Sequence, residues 1–451
     1  MNVLAGLKSA RGLAAAGIVA LVAAGCGGWY AAPAPEARAA ADQIGYEIDT
    51  SRGANATAAH ADVTLFARVY DRVRQDYVRK VDDAVLVRAA VDGMHESYPD
   101  PDAASDQELV EAAIQGMLQS LDQHSVYLNS AAYLATRQVT KGSFGGLGVE
   151  VTKTDDAIQV VSPLDDTPAS RAGLVSGDLI THADGQSLAG LSLSDSVFLL
   201  RGEPGSPITL TIARKERAPF DVTIIREVIR VQAVRWRREG DVGYIRISSF
   251  SRNVSIELRD AIRALDAEIG PRLAGYVIDL RSNPGGLLDQ SVEVSDLFLE
   301  EGLIVYTRGR SDSMDFFARR GDVAGGKPLV VLIYGGSASA SEIVAGALQD
   351  QGRAVLVGTK SFGKGSVQTL FPLGEGDGLK LTVALYYTPS GRTVDGGIAP
   401  DLAVEADPDR DGDEQLDRAL ETLLQLAGRG PKVGMAPAND NAPARAAAGQ
   451  N

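Results

Sequence analysis

The residue types that could do chemistry gather between Lys327 and Leu370. GGSASASE at 335–342 sets Ser337, Ser339 and Ser341 between two patterned stretches. Ahead lies the apolar run PLVVLIY, which reads as a strand buried on both faces. Behind, Ile343, Val344, Ala347 and Leu348 recur at helical spacing, so Ser341 and Glu342 read as a helix's opening turn. A strand-to-helix turn of small residues exposes a hydroxyl among backbone N–H groups whose dipoles favour negative charge. A second apolar run, AVLVG at 354–358, leads to SFGKGSVQ at 361–368. There Lys364 and Gln368 stand four apart, on one side of either a strand or a helix. Together these residues suggest a nucleophile, a base and an orienter.

A serine hydroxyl is a weak nucleophile until a neighbour takes its proton. An ordinary lysine, with a pKa of ~10.4, is protonated at neutral pH and cannot do so. Burial disfavours the ammonium, and Phe362, Val367 and Leu370 supply apolar surroundings for Lys364. Glu342 or Asp350, brought close in space, would instead keep it charged. Gln368 can accept a hydrogen bond from the amine with less preference for its charged form than a carboxylate. All four histidines (His60, His95, His124, His182) precede residue 200, which disfavours a Ser-His-Asp arrangement. Other readings of single motifs are weaker. Gly358-x4-Gly363-Lys364 half-matches a phosphate-binding loop, but Gly365 stands where Ser or Thr is needed. Asp407, Asp409, Asp411 and Gly412 imitate the start of a calcium loop whose bidentate glutamate is replaced by Arg418. Taken alone, Ser339 would be read as a small packing residue and His124 as a turn histidine.

These segments need a scaffold, and 451 residues with 45% hydrophobic and 23% charged composition supply a globular one with more than one domain. A net charge of −15 argues against nucleic acid or an anionic membrane surface as the main partner. A single cysteine excludes an internal disulfide framework and a thiolate-rich metal site. From 227 to 430 strands alternate with helices, as in VGYIRISSF, the amphipathic stretch Ser255 to Ile269, and the buried run Leu273 to Leu280. The pattern predicts a layered α/β core. RSNPGGLL at 281–288 follows the third of these, and Gly285 and Gly286 permit the close backbone approach that an oxyanion site requires.

At the N-terminus, Lys8 and Arg11 precede an apolar run from Leu13 to Ala24, then Gly25-Cys26. This predicts export by a signal peptide or a membrane anchor over 1–40, placing the protein in the periplasm or on a membrane facing it. Two processing routes stay open, lipidation at Cys26 or cleavage near 37–39. Residues 41–140 read as helical, with Phe66, Val69, Tyr70, Val73 and Tyr77 at three- and four-residue steps. Inside them VRAAVDGMHES at 87–97 is repeated as VEAAIQGMLQS at 110–120, an offset of 23 residues. Two copies are too few for a solenoid, so the duplication is read as lengthening a helical region joined by the loop at 98–106. The tail 431–451 reads as disordered.

GSFGGLGVEV at 142–151 opens a different region, in which VEVTK, AIQVVS, DLITHADG, ITLTIAR and DVTIIR are short strands. With TPASRAGLVSGDLI at 167–180, the stretch 141–226 resembles a PDZ domain. That resemblance implies that Gly146, Leu147, Gly148 and Val149 bind the terminal carboxylate of a peptide that joins the sheet as an extra strand. LDQHSVYL at 121–128, DLRSNPGG at 279–286, SASASEIVAGALQD at 337–350, GTKSFGKGSVQ at 358–368 and TPSGRTVDGGIAPD at 388–401 extend the likeness. Over roughly 60–430 the chain resembles the carboxy-terminal processing proteases of the tail-specific serine peptidase family. The resemblance implies a Clp-protease and crotonase-like layered α/β core, with Ser339 as nucleophile, Lys364 as general base and Gln368 as orienter. It implies oxyanion donors at Ala340 and Gly286, no cofactor or metal, and protein C-termini as substrate. An activating adaptor and a homo-oligomer are further expectations. Two departures stand out, Gln123 where the family often has proline and the second helical copy, which leaves that region to dimerise or to cap the site differently. The alternative from another class is a non-catalytic PDZ scaffold, and a third is an esterase or amidase acting on small substrates.

Overall fold

The computed structural model describes residues 32–52 and 60–429, apart from breaks at 155–156, 165, 192, 216, 231, 311, 375 and 406–411. The N-terminal apolar run with Cys26, the acidic run at 407–411 and the tail from Gly430 lie outside the described residues. Two compact units form: one up to Tyr127 together with Leu370–Leu381, the other Leu128–Thr369 together with the chain from Thr382.

The first unit is built from helices α1 (Pro35–Ser51), α2 (His60–Asp76), α3 (Asp83–Ser97) and α4 (Asp106–Gln119). Asp82 caps α3 by accepting from the Ala84 N–H, and Ser105 with Glu108 forms a reciprocal capping box on α4. The duplicated segments are α3 and α4, and they pack on each other through equivalent residues. A Cβ on Gly93 would stand 2.5 Å from the Gly116 Cα, and one on Gly116 would stand 2.7 Å from the Gly93 Cα. Leu86 and Leu109, Ala90 and Ala113, and Met94 and Met117 are all fully buried. The repeat is therefore an approximate internal two-fold in which the duplicated glycine sets the closeness of the helices. No helix among the described residues is long and apolar enough to cross a membrane.

After the short strand β1 (Val126–Leu128) come α5 (Ser130–Lys141) and β2 (Ser143–Gly146) of the second unit. A sheet follows in the order β3 (Val149–Lys153), β4 (Ile158–Pro163), β5 (Leu179–Ala183), β7 (Pro207–Ala213), β8 (Phe220–Ile225), with the short β6 (Gln186–Ser187) beside β5. Its inward residues Ile158, Val160, Ile180, Ile208, Leu210 and Ile212 close on Leu200 of α6 (Leu193–Leu200). β9 (Glu227–Arg230) returns to pair with β2. The core sheet runs β10 (Val234–Glu239), β11 (Val242–Ile247), β12 (Gly275–Asp279), β15 (Leu329–Ile333), β16 (Val355–Gly358), β19 (Leu402–Ala403). All its pairings are parallel except that of β10 with β11. Alternation sorts its residues between two layers. Tyr276, Ile278, Leu329, Val331 and Ile333 pack with α7 (Val254–Ile269), α8 (Leu288–Asp296) and α9 (Ala340–Asp350). Val277, Val330, Leu332 and Val357 pack with Leu416, Ala419 and Leu423 of α10 (Glu414–Leu426). A parallel sheet covered on both faces explains why these strands read as unbroken apolar runs. The hairpin β13 (Leu303–Gly309) and β14 (Ser313–Phe317), and the long strands β17 (Ser366–Gly374) and β18 (Asp377–Tyr387), complete the chain.

Candidate active site

The site is built where β15 ends and α9 begins. Ser339 is the N-cap of α9 and is held at φ 54° and ψ −114°, a backbone conformation that non-glycine residues seldom adopt. Of the three serines in the turn, Ser337 and Ser341 are buried, and their hydroxyls donate to the carbonyls of Leu280 (2.8 Å) and Asn283 (2.9 Å). Ser339 alone of the three is half-buried, so the middle serine is the one the turn leaves partly exposed.

Those two bonds fix the turn against the loop after β12. Asn283, fully buried, organises that loop: its Nδ2 donates to the Ile247 carbonyl (2.9 Å), its Oδ1 accepts from Gly285 N–H (2.9 Å), and its carbonyl accepts from Ala338 N–H (3.1 Å). A Cβ on Gly285 would lie 2.9 Å from the Ser339 Cβ and 3.0 Å from the Ala340 nitrogen, so only glycine lets the loop come this near. Gly286 forms a bridge with Phe250 that uses the N–H groups of Phe250 and Leu287. Its own N–H stays outside that bridge, and the residue is exposed. Ala340, the first residue of α9, contributes one of the N–H groups that a helix start leaves without an intrahelical acceptor. Both expected oxyanion donors therefore border Ser339 or the loop against it.

Lys364 stands in the loop ahead of β17 and is half-buried, while Gln368 lies within that strand. The two thus do not share one regular element as their spacing suggested. Gly363, at φ 96°, has no room for a Cβ against the Gly396 and Gly397 nitrogens at 2.7 Å, and this tight approach keeps the loop out of the strand. The Gln368 Nε2 donates to the carbonyl (3.2 Å) and hydroxyl (2.7 Å) of Ser366. Because a carbonyl can only accept, this fixes the amide's orientation and leaves Oε1 as the acceptor. The expected apolar cover for Lys364 is corrected in one respect: Phe362 is 58% exposed.

Glu342 joins the two segments. Fully buried, its Oε2 accepts from the backbone N–H of Ser339 (2.8 Å) and of Lys364 (2.9 Å). Its Oε1 accepts from the Ser361 hydroxyl (2.6 Å) and Gly363 N–H (2.7 Å). A buried carboxylate is tolerated when its lone pairs are filled in this way. Tyr386 of β18 adds a second link, its hydroxyl lying 3.1 Å from the Ser339 carbonyl and within hydrogen-bonding distance of the Lys364 carbonyl. Burial first, and the Glu342 carboxylate next, push the phenol far above its ordinary pKa, so it remains a donor. Asp350, the other acid that could have reached Lys364, is engaged with Arg392 and with the Ser390 N–H.

The glycine-rich loop of the smaller sheet is equally determined. Gly148, at φ 71°, has no room for a Cβ beside Thr167, and its carbonyl accepts from Leu164 N–H (2.9 Å) and the Thr167 hydroxyl (2.9 Å). The Leu147 carbonyl accepts from Ala169 N–H (2.8 Å), its side chain is buried, and Gly146 pairs with Glu227. Val149 begins β3, which ends the sheet order. β3 is thus an edge strand of this sheet.

Residues 241–404 match the model of peptidase family S41 and residues 159–214 that of the PDZ domain. A carboxy-terminal-processing protease of Bartonella bacilliformis is 49% identical over 351 residues, covering 77% of this chain and 76% of that protein. The chain belongs to the carboxy-terminal-processing proteases of peptidase family S41. The carboxy-terminal processing protease CtpA of Bacillus subtilis is 34% identical, covering 75% of this chain and 68% of its own. Among solved structures, a photosystem II D1 C-terminal processing protease is 28% identical with a TM-score of 0.47, covering 81% of this chain and 97% of that one. This S41 protein is accordingly a serine-type peptidase with a PDZ domain. Asn283, Glu342 as a link and Tyr386 escaped the sequence reading. Asn283 sits in the quoted RSNPGG motif and Tyr386 two residues before TPSGR, so their nearness to family motifs was the signal available.

Proposed function

We propose that this S41 protease cleaves protein substrates near their C-termini with a Ser339–Lys364 dyad, after its PDZ domain has captured the terminal carboxylate. The observation that carries the reading is Ser339 itself, the one open hydroxyl of the turn, held at a helix start by a carboxylate that also holds Lys364. In this reading the neutral Lys364 amine takes the Ser339 Oγ proton as Oγ attacks the scissile carbonyl carbon. The Gln368 Oε1 orients the amine. The carbonyl oxygen, now negative, is received by the N–H groups of Ala340 and Gly286, donors that need not reorganise as charge develops. The lysine's proton passes to the leaving amine, and water then hydrolyses the acyl-enzyme by the same route. Gly146 to Val149 supply the carboxylate loop and β3 the edge for the substrate's last residues. The basic and apolar N-terminus supports export to the periplasm, with the protein held at a membrane or released there.

The test compares the full-length chain with Ser339→Ala on an unfolded reporter ending either in apolar residues or in two aspartates. Expected are a loss of at least about 10³-fold in Ser339→Ala and slower cleavage of the acidic-tailed reporter by the parent. Equal rates for Ser339→Ala would refute the nucleophile, and equal rates for the two tails would refute capture through the C-terminus.

A further inference from the structure

Phe362 separates Ser361 from Gly363, and every backbone N–H from Ser361 to Lys364 is fixed. Ser361 donates to the Ile398 carbonyl (3.0 Å), Phe362 to the Ser337 carbonyl (3.0 Å), and Gly363 and Lys364 to Glu342. The Ser361 hydroxyl is tied from both sides, donating to Glu342 and accepting from Ile398 N–H (2.7 Å). These bonds pin the backbone on either side of Phe362, which is 58% exposed. An isolated apolar side chain on a surface needs no explanation. This one is two residues from Lys364 and bonded to the carbonyl two residues before Ser339. It is the aromatic of the catalytic loops that the protein holds rigidly in solvent. In the loop after β12, which the serine turn packs against, Pro284 and Gly286 are also exposed.

We infer that Phe362 is a specificity-determining residue, the wall of a subsite for an apolar side chain beside the scissile bond. A ring presented on a pinned backbone loses little freedom when a substrate covers it, and that is how an aromatic yields discrimination. The substrate class is an unfolded polypeptide with an aliphatic or aromatic residue on one side of the cut. This inference rests on the Ser339–Lys364 reading above.

The experiment maps cleavage sites by mass spectrometry in reduced, carboxymethylated casein. It uses the full-length parent, Phe362→Ala, Phe362→Leu and Ser339→Ala, with rates measured across pH. The expected result is enrichment of apolar residues on one side of the parent's sites. Rates at those sites should fall about 10-fold in Phe362→Ala, remain near the parent's in Phe362→Leu, and keep the parent's pH profile. An unchanged site distribution in Phe362→Ala overturns the inference, as does a uniform loss with a displaced pH profile, which would make Phe362 a support for Lys364. Cleavage persisting in Ser339→Ala would refute the dyad instead, whatever Phe362 does. Should Phe362→Ala fail to fold, Phe362→Gln against Phe362→Leu gives the same contrast.

Discussion

Two pairs of segments meet closely in this protein, and they meet by opposite means. In the helical unit, α3 and α4 are copies of one sequence and touch through their backbones at Gly93 and Gly116, with apolar residues around them. In the peptidase core, the serine turn and the lysine loop are unlike sequences and are joined by a buried carboxylate and a buried phenol. Apolar contact is non-directional and tolerates exchange of shapes of similar volume. The Glu342 carboxylate, which accepts four hydrogen bonds from the serine turn and the lysine loop and a longer one from Tyr386, tolerates no exchange, because its lone pairs are assigned. Symmetry is sufficient where only closeness is needed. Registry between two unlike loops requires directional bonds.

The largest expected effect follows from breaking the directional side. Glu342→Gln keeps the volume but turns an NH2 towards two groups that also donate, leaving buried polar groups unpaired. This is expected to destabilise the core by about 3 kcal/mol and to lower kcat/KM at least about 100-fold. Denaturant unfolding and steady-state cleavage of the unfolded reporter would measure both. Activity within a few-fold of the parent would mean that the lysine loop is held by something other than Glu342.

The helical pair offers the matched test. Gly93→Ala places a methyl 2.5 Å from the Gly116 Cα, and Gly116→Ala places one 2.6 Å from the Ala89 carbonyl. Each should cost about 1–3 kcal/mol through overpacking. Since both methyls push the same two helices apart, the double variant should cost clearly less than the sum. Strict additivity in denaturant melts would show that the glycines act independently and that the approximate two-fold is not a single contact.

The same contrast explains what could be read from the chain. The inner strands of the core sheet could be assigned because a parallel strand covered on both faces must be apolar throughout; Leu329 to Ile333 is buried at every position. The serine turn could be placed because a buried strand and an amphipathic helix leave only a short connection between them. Equivalent contact between the repeats was not legible, since a repeat reveals likeness and not which residues face each other. Nor was the role of Glu342, whose partners lie up to 22 residues away and are mostly backbone groups with no sequence signature. Phe362 was misread for a related reason. An aromatic residue in an apolar neighbourhood is ordinarily buried, yet Phe362 stands exposed on a loop whose N–H groups are bonded to partners distant in sequence.

The smallest effect sharpens the comparison through pH. Arg281, which opens the loop after β12, is held between Asp279 and Asp413, the latter the N-cap of α10. The hydrogen bond from Arg281 holds the Asp413 carboxyl below its ordinary pKa, outweighing burial, with help from the Leu416 N–H. A carboxyl whose folded pKa is depressed adds stability that is fully present above its unfolded pKa, near ~3.9. That stability is lost as pH falls through the lower, folded value. Asp413→Asn should therefore remove stability at neutral pH and flatten the acid limb of the core's unfolding curve below about pH 4. Because the carboxylate is 41% exposed and screened by solvent, the effect at neutral pH should be about 1 kcal/mol or less. The closest approach of α3 to α4 is instead made by Gly93, Gly116 and the carbonyls of Ala89 and Ala112. Gly93→Ala should accordingly lower stability by the same amount at every pH in that range, where Asp413→Asn does not. Identical pH curves for the two variants would show that the Arg281 pair contributes nothing to holding the loop.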